Sequence, residues 1–306
     1  MKLGVNLINF GPGASPDSLE GWVDMAQGLG YHGLLTSDHV TITHDVSERY
    51  PAPFYEPLSM LGWLAAKTSD MMIGTTVSVL PYRSPLETAR VFANIDQLSR
   101  GRCILGVGSG WAAEEFRILG VPFEHRGAMT TEYLQAIKAL WADDVASFHG
   151  EFVSFDDVHT TPRPVQTPHP PIWVGGNSAP SMRRAIQHGT AWHPIRPTMP
   201  DFVGTMLPAF VELAGRLELP MPELCPRIRL RVTDAPRPDD LRLAGEGTLD
   251  QIRGDLATFE ELGCTWILLD TYHDYLVDEL RDSQQAWDMF EAVATEVFDL
   301  PGESLR

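Results

Sequence analysis

Short apolar runs alternate with amphipathic helical patterns along nearly the whole chain, and no other feature restricts its fold so strongly. The runs cover residues 3–10, 33–37, 72–80, 103–107, 172–175, 191–194, 227–233 and 265–270. Helical periodicity fills residues 16–29, 57–68, 86–98, 130–141, 180–188, 200–217, 249–262 and 279–298. Spacings such as Leu134, Ile137 and Leu140 with Trp141, or Ile252, Leu256, Phe259 and Leu262, put apolar side chains on one helix face. A strand followed by a helix, repeated eight times, describes a (β/α)8 TIM barrel, and a doubly wound sheet is the alternative with the same alternation. Residues 147–158 set Phe148, Phe152, Val153 and Phe155 around His149 and Gly150, the pattern of a β-hairpin. Pro162, Pro164, Pro168, Pro170 and Pro171 then form a stiff lead into the fifth strand. The insertion therefore spans about 147–171 within a single barrel domain over residues 1–306.

Composition narrows the partners. A formal net charge of −18 argues against nucleic acid or an anionic membrane, both of which need a basic surface. An anionic small molecule would need a local positive field. Three cysteines, Cys103, Cys225 and Cys264, show no CxxC spacing and suit a reducing compartment. Lys2 to Leu7 enters an apolar run with no leader-like region before it, and no stretch reaches the roughly 18 apolar residues of a membrane span. A cytoplasmic location is the expectation.

In a barrel, chemistry gathers at the C-terminal strand ends. After the fifth strand come Gly175, Gly176, Asn177 and Ser178, where glycine permits close backbone approach and a helix N-terminus offers unpaired N–H groups. An ordinary strand-to-helix turn explains the same residues equally well. Arg183 and Arg184 follow and offer a local positive field, although a solvated helix face is the usual role of such a pair. After the second strand stand Asp38 and His39. Adjacent strand residues point to opposite faces, so one enters the pocket, and His39 is the acid–base candidate. Gly106, Gly108 and Gly110 lack the spacing of a dinucleotide fingerprint and suit a flat platform for a planar ring, with Trp111 as part of its wall. The histidines form no HxH or HxxxH pair, so no metal site is expected, and no G-x-S-x-G elbow is present.

Several segments carry a resemblance: SDH from Ser37, GTTVSVLPYRSP from Gly74, GRCILGVGSGW from Gly101, LGVPFEHRGAMTTEYLQAIKALW from Leu119, FHGEFVSF from Phe148 and PRPVQTPHPPIWVGGNS from Pro162. In these the chain resembles the bacterial luciferase-like superfamily, in particular its deazaflavin (coenzyme F420)-dependent oxidoreductase branch. The resemblance implies a barrel with a bulged third strand and a non-prolyl cis peptide at Thr76 and Val77, beneath the cofactor ring. It implies that Ser109 and Gly110 contact the ring edge and that Gly175, Gly176, Asn177 and Ser178 take the phosphate of its tail. It makes His39 the catalytic residue. Members of this branch that act on sugar phosphates carry a tryptophan and a glutamate where this chain has Thr43 and Trp111. That argues for a less polar substrate, in a pocket framed by Phe10, Phe54, Tyr55, Trp111 and Trp192. The implied reaction is hydride transfer between F420 and a small organic molecule. An FMN-dependent monooxygenase is the first alternative, and a non-catalytic flavin- or deazaflavin-binding protein is the second. Similar proteins pair through barrel helices, which implies a homodimer.

Overall fold

The computed structural model describes residues 1–273 and 277–306. In it the apolar runs become parallel strands: β1 (Lys2–Leu7), β2 (Gly33–Thr36), β3 (Met72–Thr75), β4 (Cys103–Gly108), β5 (Ile172–Gly175), β6 (Ala191–His193), β7 (Arg227–Arg229) and β8 (Trp266–Asp270). Each of β1 to β5 pairs with the next in parallel, β5 with β6, β7 with β8, and β8 with β1. The remaining seam lies between β6 and β7. There Glu223–Leu224 pairs with β6, and a bridge from Ile195 to Arg227 completes the ring. The alternation seen in the sequence is thus a TIM barrel.

Period-two geometry sorts the strand residues into two layers. Leu3, Val5, Leu105, Ile172, Val174 and Ile267 pack into the larger core beneath the helices. Leu35, Ile104, Trp173, Trp266 and Leu268 form a separate cluster that fills the barrel interior. Higher in the interior the side chains turn polar, with Asn6, His193, Arg227 and Asp270 all buried.

Local signals fix the helix ends. Ser15 and Ser18 form a capping box at the start of Pro16–Leu29, and Gly30 ends it in the left-handed conformation at φ 88°. Thr248 and Gln251 do the same for Leu249–Glu261. The insertion is an antiparallel hairpin of Val145–His149 and Ser154–His159. The Glu132 carboxylate docks its turn by accepting from the amides of Glu151, Phe152 and Val153 at 2.7–2.8 Å.

Several boundaries differ from expectation, among them the first run, which ends as a strand at Leu7 and not at residue 10. The third run does not continue to residue 80: β3 stops at Thr75, the Thr76–Val77 peptide is cis, and Ser78–Val79 resumes pairing with β4. The seventh run ends at Arg229, because Arg231–Val232 turns away to pair with Glu246–Gly247. The last helix begins at Gln284, with a separate turn at Val277–Leu280. Three short helices that the periodicity did not announce, His44–Arg49, Ala113–Ile118 and Phe123–His125, lie in the connections after β2 and β4. No helix among the described residues is long and apolar enough to cross a membrane.

Candidate active site

A cleft of about 630 Å³ opens over the C-terminal strand ends, from the β2 end at His39 to Arg227 on β7. His39, Thr76, Val77, Ser109, Gly110, Trp111, Gly175, Gly176 and Ser178 line it together. Asn177, Phe10, Phe54, Tyr55 and Trp192 are not among its lining residues.

The floor is the bulge after β3. The Thr76 carbonyl accepts a hydrogen bond from Arg227 at 2.6 Å, and Arg227 is held in turn by Asp270 at 2.8 and 3.0 Å. Burial alone would raise the Asp270 carboxyl, but Arg227 and Arg196, with a hydrogen bond from Asn6, hold it below its ordinary value. Burial, helped by the Arg227 charge, pulls His193 down to about 4, so it is neutral at pH 7. Its Nδ1–H donates to the Cys225 carbonyl, which leaves Nε2 to accept from the Thr76 hydroxyl at 2.9 Å. The glycines beside this floor have a steric purpose. A Cβ on Gly108 would lie 2.6 Å from Val77 Cγ2, and one on Gly175 would lie 2.9 Å from Val77 Cγ1. They make room for the Val77 side chain, which faces the cleft, rather than forming a bare backbone platform.

His39 stands on the opposite wall. Its Nδ1 lies 2.6 Å from Glu115 Oε2, a fully buried carboxylate. Tyr50, Phe54 and Trp111 surround the imidazole at ring-centroid distances of 5.1, 5.6 and 5.8 Å. Asp38 is tied to Arg83 by two contacts of 2.8 and 2.9 Å and accepts from the Val79 amide, so it anchors the end of β2 to the segment beyond the bulge. Glu115 is one of the site residues that motif reading missed, along with Arg126 and Arg227. The only sequence signal for Glu115 is the Glu114–Glu115 pair opening a short helix after the β4 glycines, and nothing local says which glutamate turns inward.

At the other end, Ser178 caps the helix Ala179–His188 and Gly176 turns at φ 114°. Arg184 points inward and Arg183 is exposed. The Arg184 guanidinium donates to Thr131 Oγ1 and the Gly127 carbonyl, both uncharged, and no carboxylate pairs with it among the described residues. Arg126 also lines this end, stacked on Phe123 at 3.9 Å. Asn177 is exposed, and its amide is spent on both backbone groups of Ile195 at 2.9 Å. It clamps the β5 loop to the β6 loop.

Four of the expected pocket residues lie elsewhere. Trp192 faces outward, stacked on Phe210 at 4.3 Å and donating to the Gly176 carbonyl, so it supports the turn from below. Phe10 stacks on Phe54 at 5.4 Å behind the His39 wall. Tyr55 lies over a surface hollow between the helices Pro16–Leu29 and Pro57–Lys67. Of the five, Trp111 alone lines the cleft. The described residues contain no group of three His, Cys, Asp or Glu placed to hold a metal ion.

With a strand-end cleft of this kind on a parallel barrel, the class is clear. The chain belongs to the luciferase-like monooxygenase family, whose model matches residues 1–242. It is 38% identical over 127 residues to the FMNH2-dependent dimethylsulfone monooxygenase of Pseudomonas putida, covering 40% of this chain and 35% of that protein. Among solved structures it is similar to the monooxygenase RslO1 from Streptomyces bottropensis, with a TM-score of 0.77 and 20% identity over 99% of this chain and 100% of that one. It is also similar to an F420-dependent secondary alcohol dehydrogenase in complex with an F420–acetone adduct, with a TM-score of 0.72 and 17% identity over 93% and 97% of the two chains. At these identities the structural likeness concerns the fold. The chain spans about four tenths of the length of the first curated relatives it matches, 42% and 35% in two cases.

Proposed function

We propose that this protein is an F420-dependent oxidoreductase that moves a hydride between the deazaflavin and a small, fairly apolar organic substrate, with His39 exchanging the accompanying proton. The observation that carries this reading is the division of one cleft into two chemistries. At one end a buried imidazole sits on a carboxylate beside Trp111; at the other, Arg126 and the unpaired charge of Arg184 flank a capped helix N-terminus. In a chain of net charge −18, a cation without a carboxylate partner suits an anionic tail, and the Val77 and Trp111 walls suit a planar ring.

When bound, the deazaflavin supplies a ring carbon that accepts or gives a hydride. The chain's residues supply the rest. Val77, Ser109 and Gly110 would bear on the ring, while Gly175, Gly176, Ser178 and the two arginines would hold the phosphate. Asn177 serves the same end by fixing the loop. His39 would face the substrate and hold or release its proton. The protein acts as a homodimer in the cytoplasm, with neither nucleic acid nor membrane as a partner.

A second reading, a reduced-FMN monooxygenase, is favoured by the similarity to the dimethylsulfone enzyme. Titration with F420 and with FMN, followed by fluorescence, separates the two. F420 is expected to bind and to change redox state on addition of alcohols or ketones. Binding of FMN alone, with oxygen consumed in the presence of a flavin reductase, would replace the first reading by the second. Binding of either without turnover would leave a non-catalytic carrier.

A further inference from the structure

We propose that Glu115 sets the tautomer of His39, so that Nε2 meets the cleft as a hydrogen-bond acceptor. This rests on the reading of His39 as the group that exchanges a proton with substrate.

Glu115 reaches His39 from 76 positions away in the chain. Its Oε1 accepts from the Val40 and Thr41 amides at 2.6 and 2.8 Å. Its Oε2 accepts from the Tyr82 hydroxyl at 2.8 Å and touches His39 Nδ1 at 2.6 Å. Burial alone would raise the Glu115 carboxyl, yet its hydrogen bond and charge interaction with His39, with the hydrogen bonds from Thr41 and Tyr82, outweigh it and hold the group below its ordinary value. An ionised carboxylate only accepts, so the contact to His39 requires the hydrogen on Nδ1. In the neutral ring Nε2 then carries a lone pair, and His39 is part of the cleft wall. During substrate oxidation, Nε2 takes the proton of a substrate hydroxyl. With a deazaflavin bound as hydride acceptor, the carbon bearing that hydroxyl would lose its hydride to it, and the O–H bonding pair would become the second C–O bond. The imidazolium formed keeps its Nδ1–H on a carboxylate. Glu115 touches neither reactant and acts as a positioning residue.

The same geometry makes Glu115→Gln informative. The Val40 and Thr41 amides demand an acceptor, so the glutamine oxygen must face them and its NH2 must take the place of Oε2. That NH2 donates to Nδ1 and to the Tyr82 oxygen, whose hydroxyl is free to rotate. His39 then carries its hydrogen on Nε2, and the cleft meets a donor where it met an acceptor.

Two-bond proton–nitrogen correlation spectra read the tautomer directly, with the His39 signals picked out from those of the ten histidines by their loss in His39→Asn. At about pH 8 the wild-type protein is expected to show Nδ1–H and Glu115→Gln to show Nε2–H. F420 affinity should stay within about twofold, while oxidation turnover falls on the order of 10²- to 10⁴-fold. Nε2–H in the wild-type protein overturns the proposal even if the variant does not fold. Nδ1–H retained in a folded Glu115→Gln protein overturns it as well. If the tautomers switch as expected but Glu115→Gln and His39→Asn both turn over at the wild-type rate, Glu115 keeps its positioning role and the proton-exchange reading of His39 fails.

Discussion

Of the buried carboxylates around the cleft, Asp270 and Glu115 stand on opposite sides and are put to opposite uses. Asp270 holds Arg227, whose guanidinium is spent on Asp270 and on the Thr76 carbonyl and hydroxyl. Glu115 holds His39 by Nδ1, in a ring that is part of the cleft wall. The first pair fixes the shape of the floor; the second fixes one ring nitrogen and leaves the other unspent in a rigid wall. The difference lies in the partner of the carboxylate. A guanidinium presents several donors and no acceptor, so it suits a frame, whereas an imidazole has two distinct nitrogens, of which one can be held while the other stays available.

This contrast breaks most visibly at Asp270. Asp270→Ala leaves the buried Arg227 without its carboxylate and is expected to cost about 3–5 kcal/mol, read from denaturant unfolding. A loss below about 1 kcal/mol would mean that Arg227 is not framing the floor. His39→Gln should show the reverse profile. Its unfolding midpoint should shift little, while turnover of whichever alcohol or ketone the wild-type protein converts falls at least about 100-fold; a large stability loss with turnover preserved would erase the distinction between the two sides.

The smallest effect concerns His193, on the framing side. Its folded pKa of about 4 lies below the ordinary value, so the unfolded chain binds more protons between these two values. The stability it contributes is present near pH 7 and is lost as pH falls through the unfolded value toward 4. His193→Gln should therefore flatten the decline in stability between about pH 6.5 and 4 by on the order of 1–3 kcal/mol, measured by urea unfolding at several pH values. A slope identical to wild type would remove His193 from the frame.

Much of the architecture was legible in the chain. Helix starts such as Pro16–Leu29 and the β5 turn at Gly175 and Gly176 rest on neighbours within a few positions. That His39 would line the cleft was legible too, because a strand end selects it. Trp192 was misplaced for a reason that composition does not contain. An aromatic residue on a barrel strand is buried on either face, and only register decides which. Trp173 points into the barrel and Trp192, next along in the ring, points out, while its neighbour His193 points in.

By itself, then, the sequence determined the alternation of strands and helices, their caps, and the set of polar or small residues at the strand ends, since these depend on short-range periodicity and backbone preference. Tertiary structure decided which groups meet. The His39–Glu115 contact spans 76 positions and the Arg227–Thr76 contact 151. Such pairs exist only because ring closure brings distant strand ends together and the two-residue period turns chosen side chains inward, and no local propensity encodes either event.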